Sequence, residues 1–176
     1  YHGTVDETLV SLSKGITVLR GGNIGPPVNP ALTTKVIEFN DLDALKTALA
    51  PKDVACVLCE PAMTNRGIVL PEPGYHDRLR ELTRRSGTLL IMDETHTISC
   101  GIGGYTAAYG LKPDIITLGK PIGSGIPAAA YGINQEVADK ISAKINADTT
   151  DESGLGGTLS GNALAVAAMK ATLKHV

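Results

Sequence analysis

The sequence predicts an α/β fold, a three-layer α/β/α arrangement around a mostly parallel sheet. Three observations carry that expectation. Short apolar runs rich in β-branched residues alternate with amphipathic helical stretches, the pattern of right-handed β-α-β crossovers. The strongest runs, VACVLCE at 54–60 and TLLIMD at 88–93, are nearly continuous in apolarity, which suits strands covered by helices on both faces. Twenty glycines and ten prolines in 176 residues provide for many tight connections.

In chain order, residues 16–20 and 35–39 (KVIEF) are the first strand candidates. Asn40 or Asp41 can cap a helix over 42–50, where Leu42, Leu45 and Leu49 share one face. After the 54–60 strand, a helix over 74–86 sets Leu79 and Leu82 on one side and Arg and Glu on the other, with Gly87 as its stop. Runs at 88–93, 114–118 (DIITL) and 128–133 complete the strands, and 135–145 and 161–176 read as the last helices. Two stretches fit neither element, 21–33 (GGNIGPPVNPALT) and 146–158 (NADTTDESGLGGT). Loops of that length in a compact domain are usually lids, binding loops or linkers. The chain opens at Tyr1 without Met and stops inside an apolar periodic run. Residues 1–176 are therefore expected to be the central part of a larger domain.

The composition is globular, with 43% hydrophobic and 19% charged residues. A net charge of −2 gives no electrostatic case for nucleic acid, and 3% aromatics without Trp leave no base-stacking platform. No apolar run is long enough to span a bilayer, and no signal peptide is visible. Three cysteines, an odd number, suggest reduced thiols and a cytoplasmic setting.

Ligands of an open parallel sheet sit beyond the carboxyl ends of its strands. Three expected strands end there in polar groups: Glu60, then Asp93 and Glu94, then Lys120 just past DIITLG. A carboxylate and a lysine on neighbouring strand ends suit pyridoxal 5′-phosphate. That cofactor needs an amine for its aldehyde and an acid to keep its ring nitrogen protonated. It also needs backbone N–H groups for its phosphate, which GGTLSGN at 156–162 could supply through Thr158 and Ser160 at a helix start.

At this point a family resemblance enters. The run LLIMDETHTISCGIGGYTAAYGLKPDIITLGKPIGSGIPAAAYG at 89–132 resembles the signature of class III aminotransferases, fold type I enzymes, in which a strand ends in Asp-Glu and a PDIxTLGK strand delivers a lysine. The YHG at 1–3, EPAMTNRGIVLPEPGY at 60–75 and GTLSGNALA at 157–165 match further family blocks in the family's order. Within the family the glutamate-1-semialdehyde aminomutases look most similar. The resemblance implies that Lys120 forms the Schiff base with pyridoxal phosphate and that Asp93 pairs with the ring nitrogen. It implies that Tyr1 stacks on the ring, that Asn65 lies near the cofactor, and that Thr158 binds the phosphate of the neighbouring subunit's cofactor in a homodimer. The implied reaction is amino transfer between an amino acid or amine and a keto acid, with the aminomutase as alternative. A third reading is an inactive fragment that serves only to bind or dimerise. The chain departs from the family at Thr95, where Val is usual, at His96 beside it, and at Ala163, where Pro is common. The family's upstream phosphate-binding turn and its C-terminal small domain have no counterpart among these 176 residues.

Each of these residues also has a plain structural reading. Lys120 could be a surface lysine, and Asp93 could bond to its own loop. Glu60 and Glu94 could serve the site or tie down neighbouring loops. Thr158 and Ser160 could simply cap the last helix. Cys56 and Cys59 spell C-x-x-C, but on a strand they face opposite sides, so buried thiols are expected. A metal site from Asp93, Glu94, His96 and Cys100 would need a second cluster to complete it. Gly119-Lys120 is followed by Pro121 and fails the P-loop pattern, and Gly101–Gly104 lacks the last glycine of a dinucleotide fingerprint.

Overall fold

The computed structural model describes residues 8–20, 29–65, 67–147 and 159–175. The chain divides into two compact units, Tyr1–Ala55 with Ala62–Thr88, and Cys56–Pro61 with Leu89–Val176.

The first unit holds an antiparallel hairpin and two helices. β1 (Val10–Ser13) and β2 (Ile16–Leu19) pair around Lys14-Gly15, both of which take positive φ, as a two-residue hairpin turn requires. α1 (Leu42–Leu49) is capped by Asp41, whose side chain accepts from Ala44 N at 2.8 Å, and it buries Leu45 and Leu49. α2 (Tyr75–Ser86) packs on α1 and buries Leu79 and Leu82. Each such leucine removed from water contributes about 2 kcal/mol. Gly87 ends the helix in the left-handed conformation (φ 75°), and Thr88 N–H bonds back to Thr83 O.

The KVIEF run is not a strand; residues 34–38 carry no regular structure. Val36 N–H donates to the Thr17 hydroxyl at 3.0 Å, a side chain where a strand would find a neighbour's carbonyl.

The second unit contains a four-stranded sheet in the order β3 (Cys56–Cys59), β4 (Leu89–Asp93), β5 (Ile115–Leu118), β6 (Ala130–Ile133). β3, β4 and β5 are parallel, and β6 returns antiparallel to β5. The expectation of strands buried on both faces holds best for the central β4, where Leu90, Met92 and Asp93 are buried. The edge strands differ: β3 alternates between exposed and half-buried residues, and β6 is exposed throughout.

One buried carboxylate ties this sheet together. Asp114, just before β5, accepts from Leu90 N (2.8 Å) and from Asn134 Nδ2 (2.9 Å). The Asn134 Oδ1 in turn accepts from Val137 N and starts α4 (Gln135–Ala147). α5 (Ala163–His175) is capped by Asn162, whose Oδ1 accepts from Ala165 N. It thus begins later than the sequence suggested, with Asn162 rather than Ser160 as its cap; Thr158 lies outside the described residues. Among the described residues no helix is long and apolar enough to cross a membrane.

Candidate active site at the carboxyl edge of the sheet

Because β3, β4 and β5 run parallel, their carboxyl ends share one edge. Cys59 lies beside Met92, and Asp93 beside Thr117, so Glu60, Asp93 and the segment Leu118–Gly119–Lys120 gather there. The structure thus brings Asp93 and Lys120 to the same edge, as their strand positions predict.

Asp93 is 7% exposed. Its Oδ1 accepts from Thr95 N at 3.0 Å, the turn-forming contact an aspartate makes two residues ahead. Its charge is felt nearby. The Cys59 thiol is pushed up to about 12, first by burial and then by the negative charges of Glu60 and Asp93. The Cys59 Sγ lies 3.7 Å from Met92 Sδ. Cys56 is exposed rather than buried, and none of the three cysteines is in a disulfide, so the expectation of buried thiols fails at Cys56. It stands on an edge strand with its side chain on the open face.

Glu94 follows Asp93 in sequence and does different work. It is fully buried, and its carboxylate accepts from Thr97 Oγ1 (2.8 Å), Tyr105 N (2.9 Å) and Thr106 N (2.5 Å). It fastens the start of α3 (Gly104–Ala108) to the end of β4. Gly104 is required there. Its φ is 69°, and a Cβ would stand 2.7 Å from Glu94 Oε2. With its oxygens engaged by three donors, Glu94 is a loop-fastening carboxylate. Among the described residues no three His, Cys, Asp or Glu side chains are placed to hold a metal ion.

Lys120 follows β5 in a short 3-10 turn, Lys120–Gly123, and is exposed. Its backbone takes φ 45°, a conformation that costs a non-glycine residue about 1 kcal/mol and clusters at functional sites. The Lys120 Nζ lies 2.5 Å from His96 Nε2. The Thr95 methyl lies against Gly119, 3.4 Å from where a Cβ would be. The turn after β4 and the turn after β5 therefore touch through both Thr95, where the family usually has Val, and His96 beside it. Sequence patterns gave no partner for His96, because the contact spans 24 positions and only the parallel pairing of β4 and β5 creates it.

Asn65 belongs to the first unit and is exposed, in an isolated bridge with Gly67. Tyr1 and Thr158 lie outside the described residues. A cavity of about 300 Å³ in the second unit is lined by Ala129, Ser160, Asn162, Ala165 and Met169, at the start of α5.

Comparison with known proteins places this geometry. The family model described as aminotransferase class-III matches residues 1–176. A glutamate-1-semialdehyde 2,1-aminomutase of Syntrophomonas wolfei is 41% identical over 179 residues, covering 99% of this chain and 40% of its own. That of Persephonella marina is also 41% identical, covering 95% and 39%. The crystal structure of a glutamate-1-semialdehyde aminomutase from Pseudomonas aeruginosa PAO1, a lysine-to-alanine variant in complex with PMP, superposes with a TM-score of 0.93. It is 51% identical and covers 100% of this chain and 40% of that one. An omega-transaminase from Sphaerobacter thermophilus superposes at 0.80 with 30% identity, covering 100% and 42%. The chain thus spans about two fifths of the length of the proteins it matches.

Proposed function

The chain belongs to the class-III aminotransferase family, and from that premise we propose that the protein is a pyridoxal-phosphate enzyme acting as a glutamate-1-semialdehyde-type aminomutase. The observation that carries this reading is the gradient of similarity. Aminomutases match at 38–41% in sequence and 51–52% in structure comparison, transaminases at about 30%. Sequence motifs alone put the transaminase first; the relatives reverse that order. The α/β fold is that of fold type I enzymes, which both activities share.

The donor set fits the cofactor. A buried acid and an exposed amine end adjacent parallel strands, with the amine held on a strained turn. In this reading Asp93 holds a proton on the ring nitrogen, and its burial strengthens that pairing because the surrounding dielectric is low. Lys120 holds the cofactor covalently and, when its amine is free, carries a proton to and from the substrate carbon. The cofactor, when bound, supplies an aldehyde and an electron-withdrawing ring. Tyr1, Asn65 and Thr158 retain the roles the family resemblance implies, Thr158 toward the partner subunit of a homodimer. The chain is then the central part of the cofactor-binding domain, a reading supported by its span of two fifths of each relative.

The name of the reaction fixes its test. Moving an amino group from C2 to C1 of glutamate-1-semialdehyde, with the carbonyl going the other way, gives 5-amino-4-oxopentanoate. It is an isomerisation, so neither an amino donor nor a keto acid is consumed. The purified intact protein with pyridoxal or pyridoxamine phosphate is expected to form this product from glutamate-1-semialdehyde alone, and Lys120→Ala to abolish it. Turnover only with an added amino donor and keto acid would establish the transaminase instead.

A further inference from the structure

We propose that His96 is a positioning residue for Lys120: its imidazole accepts a hydrogen bond from the lysine amine and holds that amine at the carboxyl edge of the sheet, ready for the cofactor aldehyde. The proposal rests on the cofactor reading above and goes beyond it, since that reading gives the lysine amine no partner within its own subunit.

Four observations support it. First, His96 Nε2 lies 2.5 Å from Lys120 Nζ. The lysine nitrogen donates through an N–H whether or not it carries the extra proton. The contact is therefore a hydrogen bond when the ring is neutral with Nε2 bare and its proton on Nδ1, and the neutral amine keeps its lone pair for the aldehyde. Second, His96 stands on a fastened turn. Thr95 N bonds to Asp93, Ile98 N to Glu94 O (2.9 Å), and Ser99 Oγ to the His96 carbonyl (3.0 Å). Third, His96 is half-buried whereas Lys120 is exposed. The ring is thus the fixed member of the pair, and the lysine is the one with a stem free to wander. Fourth, the Lys120 backbone is already set in an unusual conformation (φ 45°) between an extended Gly119 and Pro121. The chain thus restrains the root of the side chain, and His96 restrains its tip.

A lysine stem has four rotatable bonds and loses much rotamer freedom when its tip must meet one point. A partner at that point supplies the ordering before the aldehyde arrives, which is the benefit of orientation in any two-body reaction. Acylation by a small reagent that attacks from any direction gains little from such ordering. Positioning therefore predicts a loss in one of two reactions of the same nitrogen and not in the other. If His96 merely altered the basicity of the amine, both would move together.

The experiment compares the intact apo-protein, His96→Leu and His96→Gln. One arm follows pyridoxal phosphate capture, by absorbance and by borohydride trapping with mass analysis of the Lys120 peptide. The other follows acylation of Lys120 by acetic anhydride, referred to the exposed Lys170. In His96→Leu, capture is expected to slow about tenfold while acylation is unchanged or faster. His96→Gln, which keeps an acceptor, is expected to recover most of the capture rate. Unchanged capture in His96→Leu, or capture and acylation changing together in either direction, would overturn the positioning role while leaving the cofactor reading intact. Absence of any trapped adduct on Lys120 in the wild-type protein would overturn both.

Discussion

At the scale of single residues, the two adjacent carboxylates after β4 have opposite duties, although the sequence presents them as a pair. Glu94 is fully buried with three donors on its oxygens, two of them backbone N–H groups at the start of α3. Asp93 is almost as buried, and its Oδ1 accepts from Thr95 N, a bond that an amide oxygen in its place could also accept. Substituting Glu94 by Gln turns one acceptor into an NH₂ that faces donors. The expected cost is about 2–3 kcal/mol of unfolding free energy in urea titration, because buried donors lose their acceptor. Gly104→Ala should destabilise by a similar route, since its Cβ would stand on Glu94 Oε2 and its φ is positive. Asp93→Asn should behave the other way, leaving the denaturation midpoint within about 1 kcal/mol while turnover falls about a hundredfold or more. If both variants lost stability alone, Asp93 would also be a loop anchor and the acid of the site would have to be sought elsewhere.

At the scale of elements, what was legible in the sequence follows from how local each signal is. The runs at 88–93 and 114–118 became β4 and β5, and Gly87 stops α2 as expected, because apolar continuity and left-handed glycine act within a few residues. KVIEF failed because β-branched composition describes a willing strand and says nothing of whether a neighbour is there to pair. The β1–β2 hairpin was half seen, with β2 found and β1 missed, since VSLS at 10–13 is too short and polar to stand out. The placement of Lys120 and Asp93 at the carboxyl ends of neighbouring strands was readable from the strand pattern. His96 and Glu94 needed the fold, because their partners lie 24 and up to 12 positions away.

The same locality argument governs β3. Period-two alternation puts Cys56 on the exposed side and Cys59 beside Met92. Burial and the charges of Glu60 and Asp93 raise the Cys59 thiol to about 12, whereas an unfolded cysteine ionises near 8.5. The folded protein therefore keeps a proton that the unfolded chain has released between about pH 9 and 12, so the contribution of Cys59 to stability falls as pH rises through that window. Iodoacetamide at pH 8 should alkylate Cys56 and Cys100 and spare Cys59, with Cys59 labelled only on unfolding or at strongly alkaline pH. Equal labelling of Cys59 in the native protein at pH 8 would mean that the carboxyl edge of the sheet is open to solvent there.

At the scale of the whole molecule, the proposed homodimer makes a prediction that no single subunit can satisfy. If Thr158 serves the phosphate of the partner's cofactor while Lys120 serves its own, each active site needs one residue from each chain. Lys120→Ala and Thr158→Ala homodimers would then both be impaired. Mixing them under conditions of subunit exchange would create hybrids in which one site has lost both residues and the other has regained both. Random assortment makes half the dimers hybrid with one intact site of two, so activity should return to about a quarter of wild type. Were each site built from one chain alone, the hybrids would hold only sites already impaired, and mixing would restore nothing. Size-exclusion chromatography with light scattering on the same mixtures shows whether exchange has taken place, so a null result on exchanged dimers bears on the shared site itself.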